Sequence, residues 1–326
     1  MGIRIISTGR CLPDRVLTNA DLEKMVETSD EWIRTRTGIE ERHIADADQS
    51  TSDLCFAAAS NALESAGIDP MEIGGLIVGT ITPDYAHLPS TACLLQQRLG
   101  CKNAFCFDLS AACSGLIYSL VTANSMMQTM PEIKYMLVFG AEKLSSIVNW
   151  DDRNTCVLFG DGASAVLLGR TDDDKNSILA FDIGADGAYA GSLITEAGGT
   201  RMPLTAENHD KQFVFMNGRE IFKLAVNAMV DSSLRTLKKA GVTAADLKIL
   251  IPHQANMRII NAVSERLGID DSKVYRNVNR YGNTSAASIG LCLDEIVRSN
   301  VLQRGDKIML DAFGGGLTWG SILIEW

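Results

Sequence analysis

The sequence predicts an α/β protein made of two similar halves, each with helices packed on a mostly parallel sheet. Two observations carry this prediction. The segment LESAGIDPMEIGGLIVG, which starts at Leu63, resembles the segment LKKAGVTAADLKILIPH, which starts at Leu237. In both segments a helix-like stretch ends at a glycine, and a short loop leads into an apolar, strand-like run. Alternation of helices with buried strands is typical of layered α/β folds.

The repeat extends beyond these two segments. They align without a gap at an offset of 174 residues (237 − 63 = 174), and the same offset places Ala112 on Ala286 and Phe139 on Phe313. A single offset held over roughly 75 residues indicates two copies of one fold unit. We therefore expect residues 1–170 and 171–326 to form two pseudo-symmetric halves, with the Asp-, Gly- and Asn-rich segment 170–216 at the join.

The composition excludes several classes of protein. Hydrophobic residues make up 46% of the chain and charged residues 21%, as in ordinary globular proteins. No apolar run approaches the ~18 residues of a membrane helix, and the start MGIRIISTGRCLPDR lacks the apolar core of a signal peptide. We expect a cytoplasmic protein without membrane insertion. The net charge of −10 argues against nucleic-acid binding, so an acidic partner would need a local basic patch.

The cysteines and histidines predict neither disulfides nor a metal site. The eight cysteines form no CxxC pair, and the four histidines form no HxxxH or HExxH pattern. In a chain of this length, scattered cysteines in apolar surroundings favour reduced thiols. We expect no structural zinc.

One cysteine lies where a reactive thiol is plausible. Cys113 lies in FDLSAACSGLIYSL, between a predicted strand and a predicted helix, and its Ala, Ser and Gly neighbours allow a sharp turn. The free N–H groups and partial positive charge at a helix N-terminus lower the pKa of a thiol and favour the thiolate. From these residues alone, an inert buried cysteine is an equally good interpretation.

Two polar residues of the second half join Cys113 as candidates. His253 follows the predicted strand in ILIPHQANMRI, and Asn283 precedes a small-residue turn in NRYGNTSAASIG that mirrors the Cys113 turn. The repeat places both near the equivalent of the Cys113 loop, which favours one shared site. Taken singly, a structural histidine and an asparagine that caps a helix or fills a turn are the alternatives.

Two glycine-rich stretches have different interpretations. DAFGGGLTWG (311–320) follows a predicted strand and matches neither common phosphate-binding motif, so a phosphate cradle has weak support, and a loop whose N–H groups bind an oxyanion is the alternative. FGDGASA contains Gly160-x-Gly162-x-x-Ala165, but Asp161 and Gly162 between two apolar runs favour a hairpin turn. We therefore exclude a dinucleotide (NAD) site.

In combination, these motifs resemble those of the β-ketoacyl-acyl-carrier-protein synthase III family, condensing enzymes with the thiolase fold. The resemblance covers essentially the whole chain and rests on TSDEWIRTRTGIEER (28–42), DLSAACSGL (108–116), FGDGA (159–163), PHQAN (252–256), GNTSAAS (282–288) and FGGGLTWGS (313–321). It implies a thiolase-like fold with a layered α-β-α-β-α core. It also implies a decarboxylating Claisen condensation of an acyl-CoA primer with malonyl-acyl carrier protein, which initiates fatty acid biosynthesis.

The resemblance assigns catalytic roles and no cofactor. Cys113 would take the acyl group as a thioester, while His253 and Asn283 would polarise the thioester carbonyl of malonyl-carrier protein and stabilise the enolate. A second oxyanion hole would combine the Cys113 N–H with an N–H from Gly314, Gly315 or Gly316. No metal or redox group is implied, and the reaction uses acyl-CoA and malonyl-carrier protein as substrates.

The resemblance also suggests binding residues. The CoA site would contain Thr28, Trp32, Arg36, Arg153 and Asn256, with the adenine between Trp32 and Arg153 and a phosphate at Arg36. Without the resemblance, the stretch SDEWIRTR is better interpreted as an amphipathic surface helix.

The remaining residues concern the carrier protein and the primer. A basic patch of Arg219, Lys223 and Arg258 would bind the acidic carrier protein, although ordinary surface charge is the alternative. The primer pocket would contain Phe313 and, across the interface of a homodimer, Leu88. Some relatives carry Phe where this chain has Leu88, which predicts acceptance of primers longer than acetyl.

Two other functions share part of this pattern. A specialised condensing enzyme that loads a starter unit in polyketide or quinolone synthesis would keep all three catalytic residues. A papain-like hydrolase also uses Cys, His and Asn in that order. The sequence around the papain nucleophile, C-G-[SA]-C-[WY], is absent, and that fold leaves the duplication unexplained.

Overall fold

A computed structural model describes residues 2–173 and 175–326. The strands of this part of the chain are β1 (Gly2–Cys11), β2 (Val16–Thr18), β3 (Glu41–His43), β4 (Ile73–Gly79), β5 (Phe105–Leu109), β6 (Tyr135–Glu142), β7 (Gly162–Thr171), β8 (Ile178–Ala185), β9 (Leu193–Ile194), β10 (Phe215–Met216), β11 (Ile249–Pro252), β12 (Lys307–Gly314) and β13 (Thr318–Glu325). Its α-helices are α1 (Asn19–Leu22), α2 (Asp30–Thr37), α3 (Thr51–Ala66), α4 (Thr91–Leu99), α5 (Gly115–Thr129), α6 (Gly218–Ala240), α7 (Met257–Leu267), α8 (Val278–Tyr281) and α9 (Ala287–Arg298).

Two larger sheets repeat one topology. The first has the order β1-β7-β6-β4-β5 and the second the order β8-β13-β12-β11. In each sheet the first two neighbouring pairs are antiparallel and the next is parallel. β5 pairs parallel with β4, and in the second sheet Val274 takes this place through a parallel bridge to Leu250. The predicted duplication is therefore visible in the strand order.

The predicted α-β-α-β-α layering is confirmed. α3 and α4 cover the outer face of the first sheet, and α6 and α7 cover the outer face of the second. α5 and α9 lie between the two sheets in a shared apolar core. Because these two helices are apolar on most sides, they are stable only inside the molecule, where both sheets cover them.

The glycine stops in the repeat are confirmed as helix caps. α3 ends at Gly67 with φ of 65°, and α6 ends at Gly241 with φ of 68°. Both values lie in the left-handed region that glycine adopts without steric cost, which explains why the chain turns there into β4 and β11.

The single offset of 174 residues is wrong beyond the first strand of the repeat. Left-handed φ values mark the two equivalent turns at Ala112 (45°) and Ser285 (47°), which differ by 173 (285 − 112 = 173). The helices that follow begin at Gly115 and Ala287, which differ by 172. Loops of unequal length shift the register while the strand order stays the same.

The predicted division at residues 170/171 stays a prediction. The described strands of the first large sheet lie between Gly2 and Thr171, and those of the second lie between Ile178 and Glu325. The segment 170–216 contains β8, an edge strand of the second sheet, and so is more than a linker.

The predicted hairpin at Asp161-Gly162 is wrong. The apolar run before it forms turns instead of a strand, and only the residues from Gly162 onward form a strand, β7. The buried Asp161 carboxylate accepts hydrogen bonds from the N–H groups of Ala45 and Ser145, so it joins two loops. The glycine motif at 160–165 leads into a strand, whereas a dinucleotide-binding motif leads into a helix. A dinucleotide site at this motif therefore remains excluded.

Within the described residues, no helix combines the length and the apolar character needed to cross a membrane.

Candidate active site

The structure brings Cys113, His253 and Asn283 into one cavity of about 1000 Å³. Cys113 lies in the short turn between β5 and α5, His253 follows β11, and Asn283 lies between α8 and α9. Cys113 and His253 follow the carboxyl ends of the parallel strands β5 and β11, where layered α/β folds place their sites. Cys113 comes from the first half of the chain and the other two residues from the second, as the sequence predicts.

The environment of Cys113 differs from the expected one. Burial raises the pKa of its thiol to about 12, and the charge of Glu142 acts in the same direction. The Ser285 hydroxyl and the backbone at Cys113 act in the opposite direction on this pKa but do not offset burial. The expectation of a pKa lowered by the helix N-terminus is therefore wrong, because desolvation disfavours the thiolate more strongly.

His253 is buried and neutral. Burial lowers the pKa of its imidazole to about 3. Its Nδ1 lies 2.8 Å from the Ser288 hydroxyl, which also accepts a 3.4 Å hydrogen bond from the Gln254 N–H. If Ser288 donates its hydrogen to Nδ1, every one of these buried groups is paired, and the ring keeps its proton on Nε2. Nε2–H is then a hydrogen-bond donor for a ligand.

Asn283 is also held as a donor. Its Oδ1 accepts a 2.9 Å hydrogen bond from the Ser285 N–H. This bond fixes which end of the amide is the oxygen and leaves the NH₂ group for the cavity. Two neutral donors on one wall can stabilise a developing oxyanion without transferring a proton to it.

The glycine-rich end of β12 lies against the nucleophile. A Cβ added at Gly314 would lie 2.6 Å from the backbone nitrogen of Cys113, so only glycine permits this approach. Gly315 and Gly316 line the cavity, and Phe313 contributes a buried ring to its wall. Gly314 itself lies behind this lining.

Three of the five predicted CoA residues line the same cavity: Trp32, Arg36 and Asn256. The guanidinium of Arg153 lies 5.2 Å and that of Arg36 4.7 Å from the centre of the Trp32 ring. An aromatic ring between Trp32 and Arg153 needs about 7 Å, twice a stacking distance, so Arg153 would have to move outward. The Thr28 hydroxyl is buried without a hydrogen-bond partner.

The predicted carrier-protein residues lie at the rim. Arg219 and Arg258 are exposed and line the cavity, and Lys223 is exposed one turn after Arg219 on α6. The guanidinium of Arg258 lies 5.5 Å from the centre of the Phe222 ring, which connects α7 to α6. Arg219, Lys223 and Arg258 thus lie together at the rim as one basic patch, as the resemblance implies.

Leu88 is not in the cavity of its own chain. Its side chain is 82% exposed, and it does not appear among the residues that line the cavity. Any contact with a primer would have to be made from a second subunit.

Three neighbours of the site were missed by sequence reasoning: Glu142, Ser285 and Ser288. Glu142 ends the apolar run YMLVFGAE, and a carboxylate at the end of a fully buried strand is the signal that could have found it. The two serines lie inside the motif GNTSAAS, but nothing in the sequence shows which neighbours their hydroxyls reach.

No cluster of three or more His, Cys, Asp or Glu side chains suited to a metal ion occurs in residues 2–173 and 175–326.

The layered fold and the cysteine, histidine and asparagine of this cavity define a thiolase-fold condensing enzyme, an acyltransferase. The family model of 3-oxoacyl-[acyl-carrier-protein (ACP)] synthase III matches residues 107–187, and the model of the C-terminal part of the same family matches residues 237–326. The chain is 50% identical to the β-ketoacyl-[acyl-carrier-protein] synthase III of Caldanaerobacter subterraneus subsp. tengcongensis over 99% of this chain and 97% of that one. It belongs to the β-ketoacyl-acyl-carrier-protein synthase III family.

Solved structures agree with this family. The crystal structure of 3-oxoacyl-[acyl-carrier-protein] synthase III from Aquifex aeolicus VF5 superposes with a TM-score of 0.93 at 47% identity, covering all of both chains. The priming β-ketosynthase of the R1128 polyketide pathway superposes at 0.92 with 33% identity over 99% of this chain and 96% of that one. Both are similar to this chain in fold, and the Aquifex aeolicus synthase shares the higher sequence identity with it. These relatives support a condensing enzyme over the papain-like alternative.

Proposed function

We propose that this chain joins an acyl-CoA primer to malonyl-acyl carrier protein through an acyl group held on Cys113. The observation that carries the proposal is the meeting of one buried thiol with two neutral hydrogen-bond donors in one cavity. The thiol sulfur attacks the primer thioester, CoA leaves, and an S-acyl cysteine remains. The products of the complete cycle are a 3-oxoacyl-carrier protein, CoA and CO₂.

His253 and Asn283 act in the second half of this cycle. Their Nε2–H and NH₂ groups donate to the thioester oxygen of malonyl-carrier protein while CO₂ leaves and negative charge develops on that oxygen. The enolate carbon then attacks the acyl-cysteine. Because the pKa of His253 is low, the ring stabilises the enolate without protonating it.

The second oxyanion hole serves the tetrahedral intermediates at Cys113. We assign it to the Cys113 N–H and an N–H of the Gly314–Gly316 segment. This assignment is supported by the close approach of Gly314 to the Cys113 backbone nitrogen, which holds the two backbone segments side by side. This chemistry uses the chain's own groups, and we propose that it needs no metal or redox cofactor.

CoA and the carrier protein approach from the same rim. Trp32, Arg36, Arg153 and Asn256, with Thr28 nearby, would hold CoA, the aromatic ring binding adenine and the cations binding phosphate. The patch of Arg219, Lys223 and Arg258 would bind the acidic carrier protein. A local cluster of cations is needed because the chain as a whole carries a charge of −10.

We also propose a homodimer in the cytoplasm. β5 is an edge strand of the first sheet, and its residues are only partly buried. Two of these partly exposed residues, Phe105 and Phe107, carry large apolar side chains. Unpaired strand edges with apolar side chains favour pairing with another chain. A dimer that covers this edge would bring Leu88 of one subunit toward the primer pocket of the other.

The chain length of the primer follows from Leu88 in this arrangement. Leucine is smaller than phenylalanine, so Leu88 should leave room for primers longer than acetyl. Replacing Leu88 by Phe should shift the preference toward acetyl-CoA in a series from acetyl- to octanoyl-CoA. Equal activity profiles for both proteins, or activity of the unaltered protein with acetyl-CoA alone, would remove the basis for this role.

The function is tested by incubating the protein with the acyl-CoA series and malonyl-carrier protein and measuring the intact mass of the carrier. A 3-oxoacyl-carrier product that disappears in Cys113→Ala would support the proposal and identify the primer. Release of free acid with malonyl-carrier protein left intact would contradict it.

A further inference from the structure

Arg42 is a buried arginine that ends the motif TSDEWIRTRTGIEER and that the proposed reaction does not use. It lies in the middle of β3, and its side chain is fully removed from solvent. In the described part of the chain its guanidinium donates three hydrogen bonds, all to uncharged oxygens. Burial of a charged group costs free energy that uncharged partners only partly offset. The segments that Arg42 joins therefore indicate its role better than its burial does.

The guanidinium ties the wall of the cavity to β2 and α1. Its Nη1 donates to the Leu17 carbonyl oxygen at 3.1 Å and to Oδ1 of Asn19 at 2.9 Å. Its Nη2 donates to the Val157 carbonyl oxygen at 2.7 Å. Val157 begins the turn segment 157–160, three residues of which line the active-site cavity. Arg42 thus holds one end of this segment in place.

The 157–160 segment in turn holds the backbone of Asn283. The Asn283 N–H donates to the Leu158 carbonyl oxygen at 2.8 Å, and the Asn283 carbonyl oxygen accepts from the Gly160 N–H at 3.0 Å. These two hydrogen bonds form a parallel bridge between the segments. Because the bridge fixes the main chain of Asn283, a shift of the 157–160 segment would also move its NH₂ group.

The stem of the Arg42 side chain packs beside the same bridge. A Cβ added at Gly160 or at Gly282 would lie 3.1 Å from the Arg42 Cβ. Gly282 directly precedes Asn283 and has a left-handed φ of 64°. Arg42 therefore contacts the chain on both sides of the bridge, through its stem as well as through its guanidinium.

The other donor of the site is held from elsewhere. The His253 N–H donates to the Asp311 carbonyl oxygen at 2.7 Å, and its ring faces the Ser288 hydroxyl. Neither contact involves the 157–160 segment. A change at Arg42 should therefore affect the Asn283 donor more than the His253 donor.

We propose that Arg42 is a positioning residue for Asn283, an inference that rests on the proposed condensation. By holding the 157–160 segment, it aims the Asn283 NH₂ group at the thioester oxygen of malonyl-carrier protein. Small errors in the placement of such a donor are costly, because its stabilisation of the enolate depends on a preset geometry. Arg42 serves the condensation step and not the acylation of Cys113, in which Asn283 has no part.

The experiment separates the two half-reactions on the same protein. Each variant is acylated on Cys113 with a saturating amount of the acyl-CoA that the unaltered protein accepts best, and the amplitude counts the folded sites. After removal of free acyl-CoA, malonyl-carrier protein is added at several concentrations. A single turnover of condensation is then followed by rapid quenching and intact mass.

Arg42→Lys keeps the charge but lacks the fork that reaches Val157 and Asn19 together. We expect its condensation rate constant to fall about tenfold, less than the cost of removing an oxyanion donor outright. Its acylation rate constant should stay within about twofold of the unaltered value. Arg42→Met, which buries no charge, should show the same selective loss. If neither variant gives acylatable protein, Arg42 supports the fold as a whole and the proposal is overturned.

A double variant shows whether Arg42 acts through Asn283. In an Asn283→Ala background, Arg42→Lys should lower the condensation rate constant by less than about twofold, since the group that Arg42 positions is already absent. A full further loss in this background would show that Arg42 acts by another route. An unchanged condensation rate in Arg42→Lys alone, or equal losses in both half-reactions, would also overturn the proposal.

Arg170 provides the matched control. Its guanidinium donates to main-chain carbonyl oxygens of Met127, Met130 and Ile133, and it lies near the end of β7, outside the cavity lining. Arg170→Lys should leave both rate constants within about twofold of the unaltered values. A selective loss of condensation in this control would overturn the specific role of Arg42. Unaltered protein that is acylated but forms no 3-oxoacyl-carrier product would instead contradict the proposed function itself, and this role with it.

Discussion

At the scale of single residues, burial sets the chemistry of this site. The same desolvation raises the pKa of Cys113 and Glu142 and lowers that of His253, since in each case it disfavours the charged form. The result is a thiol and a neutral imidazole in one cavity, with the Glu142 carboxyl hydrogen-bonded to Ser285 of the cavity lining. None of these states follows from residue type alone.

Ser288 should determine which nitrogen of His253 carries the proton. Ser288→Ala removes the hydroxyl that faces Nδ1, so part of the imidazole population would move its proton from Nε2 to Nδ1. We expect decarboxylation of malonyl-carrier protein to fall about tenfold, as for partial loss of an oxyanion donor, with acylation of Cys113 little changed. Imidazole nitrogen-15 shifts report the tautomer directly.

Ser288→Thr keeps the hydroxyl and is the matched control for this prediction. It should retain both the tautomer and most of the decarboxylation rate. Unchanged nitrogen-15 shifts in Ser288→Ala would show that Ser288 has no such role.

His253 should also make the fold sensitive to acid. Its pKa is about 3 when folded and 6.5 in the reference state, so between these values the unfolded chain binds a proton that the folded chain does not. The contribution of His253 to the free energy of unfolding is fully present above pH 6.5. It decreases as the pH falls below this value, by at most about 1.4 kcal/mol per pH unit. Between pH 7.5 and 5, the unaltered protein should therefore lose up to about 2 kcal/mol more than His253→Gln.

Urea unfolding at the two pH values measures this difference. Glu142 acts in the opposite direction, because its raised pKa makes the folded chain bind the extra proton between 4.5 and about 7. Its effect is present in both proteins and cancels in the comparison. Equal losses for the two proteins would contradict a buried, neutral His253.

At the scale of the elements, glycines mark both the helix ends and the contact between the halves. Gly241 ends α6 with a left-handed φ and open space around it, whereas Gly314 lies at the end of β12 against the Cys113 backbone. The first position requires glycine for its backbone angle, and the second requires it for the absent side chain. Substitution of the two should therefore have different consequences.

Gly241→Ala should lower the free energy of unfolding by about 1 kcal/mol and leave condensation unchanged, because the only cost is a left-handed alanine. Gly314→Ala should instead lower the rate of Cys113 acylation, since its methyl group displaces the Cys113 backbone. Urea unfolding and acylation kinetics of the two variants make a matched test. Normal acylation in Gly314→Ala would show that the Cys113 turn tolerates displacement.

At the scale of the whole molecule, the site exists because two copies of one topology face each other. The central helices α5 and α9 are sandwiched between the sheets, and the turns before them carry Cys113 and Asn283. Backbone contact at this centre is close, since a Cβ at Gly140 would lie 2.1 Å from the Ala286 carbonyl oxygen. The halves must therefore pack together before the site is complete.

The proposed dimer gives a prediction at the same scale. The protein should sediment at about 71 kDa, twice the chain mass of 35.3 kDa, because the β5 edge is paired in a symmetric dimer. Phe107→Lys should weaken the dimer, since a charge on an edge strand opposes pairing. Phe215→Lys, at a phenylalanine 56% exposed on β10, is the control and should remain dimeric. A monomeric unaltered protein at micromolar concentration would contradict the prediction.

The sequence by itself determined the layered α/β class, the duplication and the three residues at the centre of the site, because periodicity, glycine stops and motif spacing are local signals. It did not determine the changing register of the repeat or the absence of a hairpin at Asp161, because loop lengths and long-range hydrogen bonds settle these. Only the tertiary structure decided the protonation of Cys113 and His253 and the contacts of Glu142, Ser285 and Ser288. These properties depend on how completely each group is removed from water and on which partners, distant in sequence, surround it.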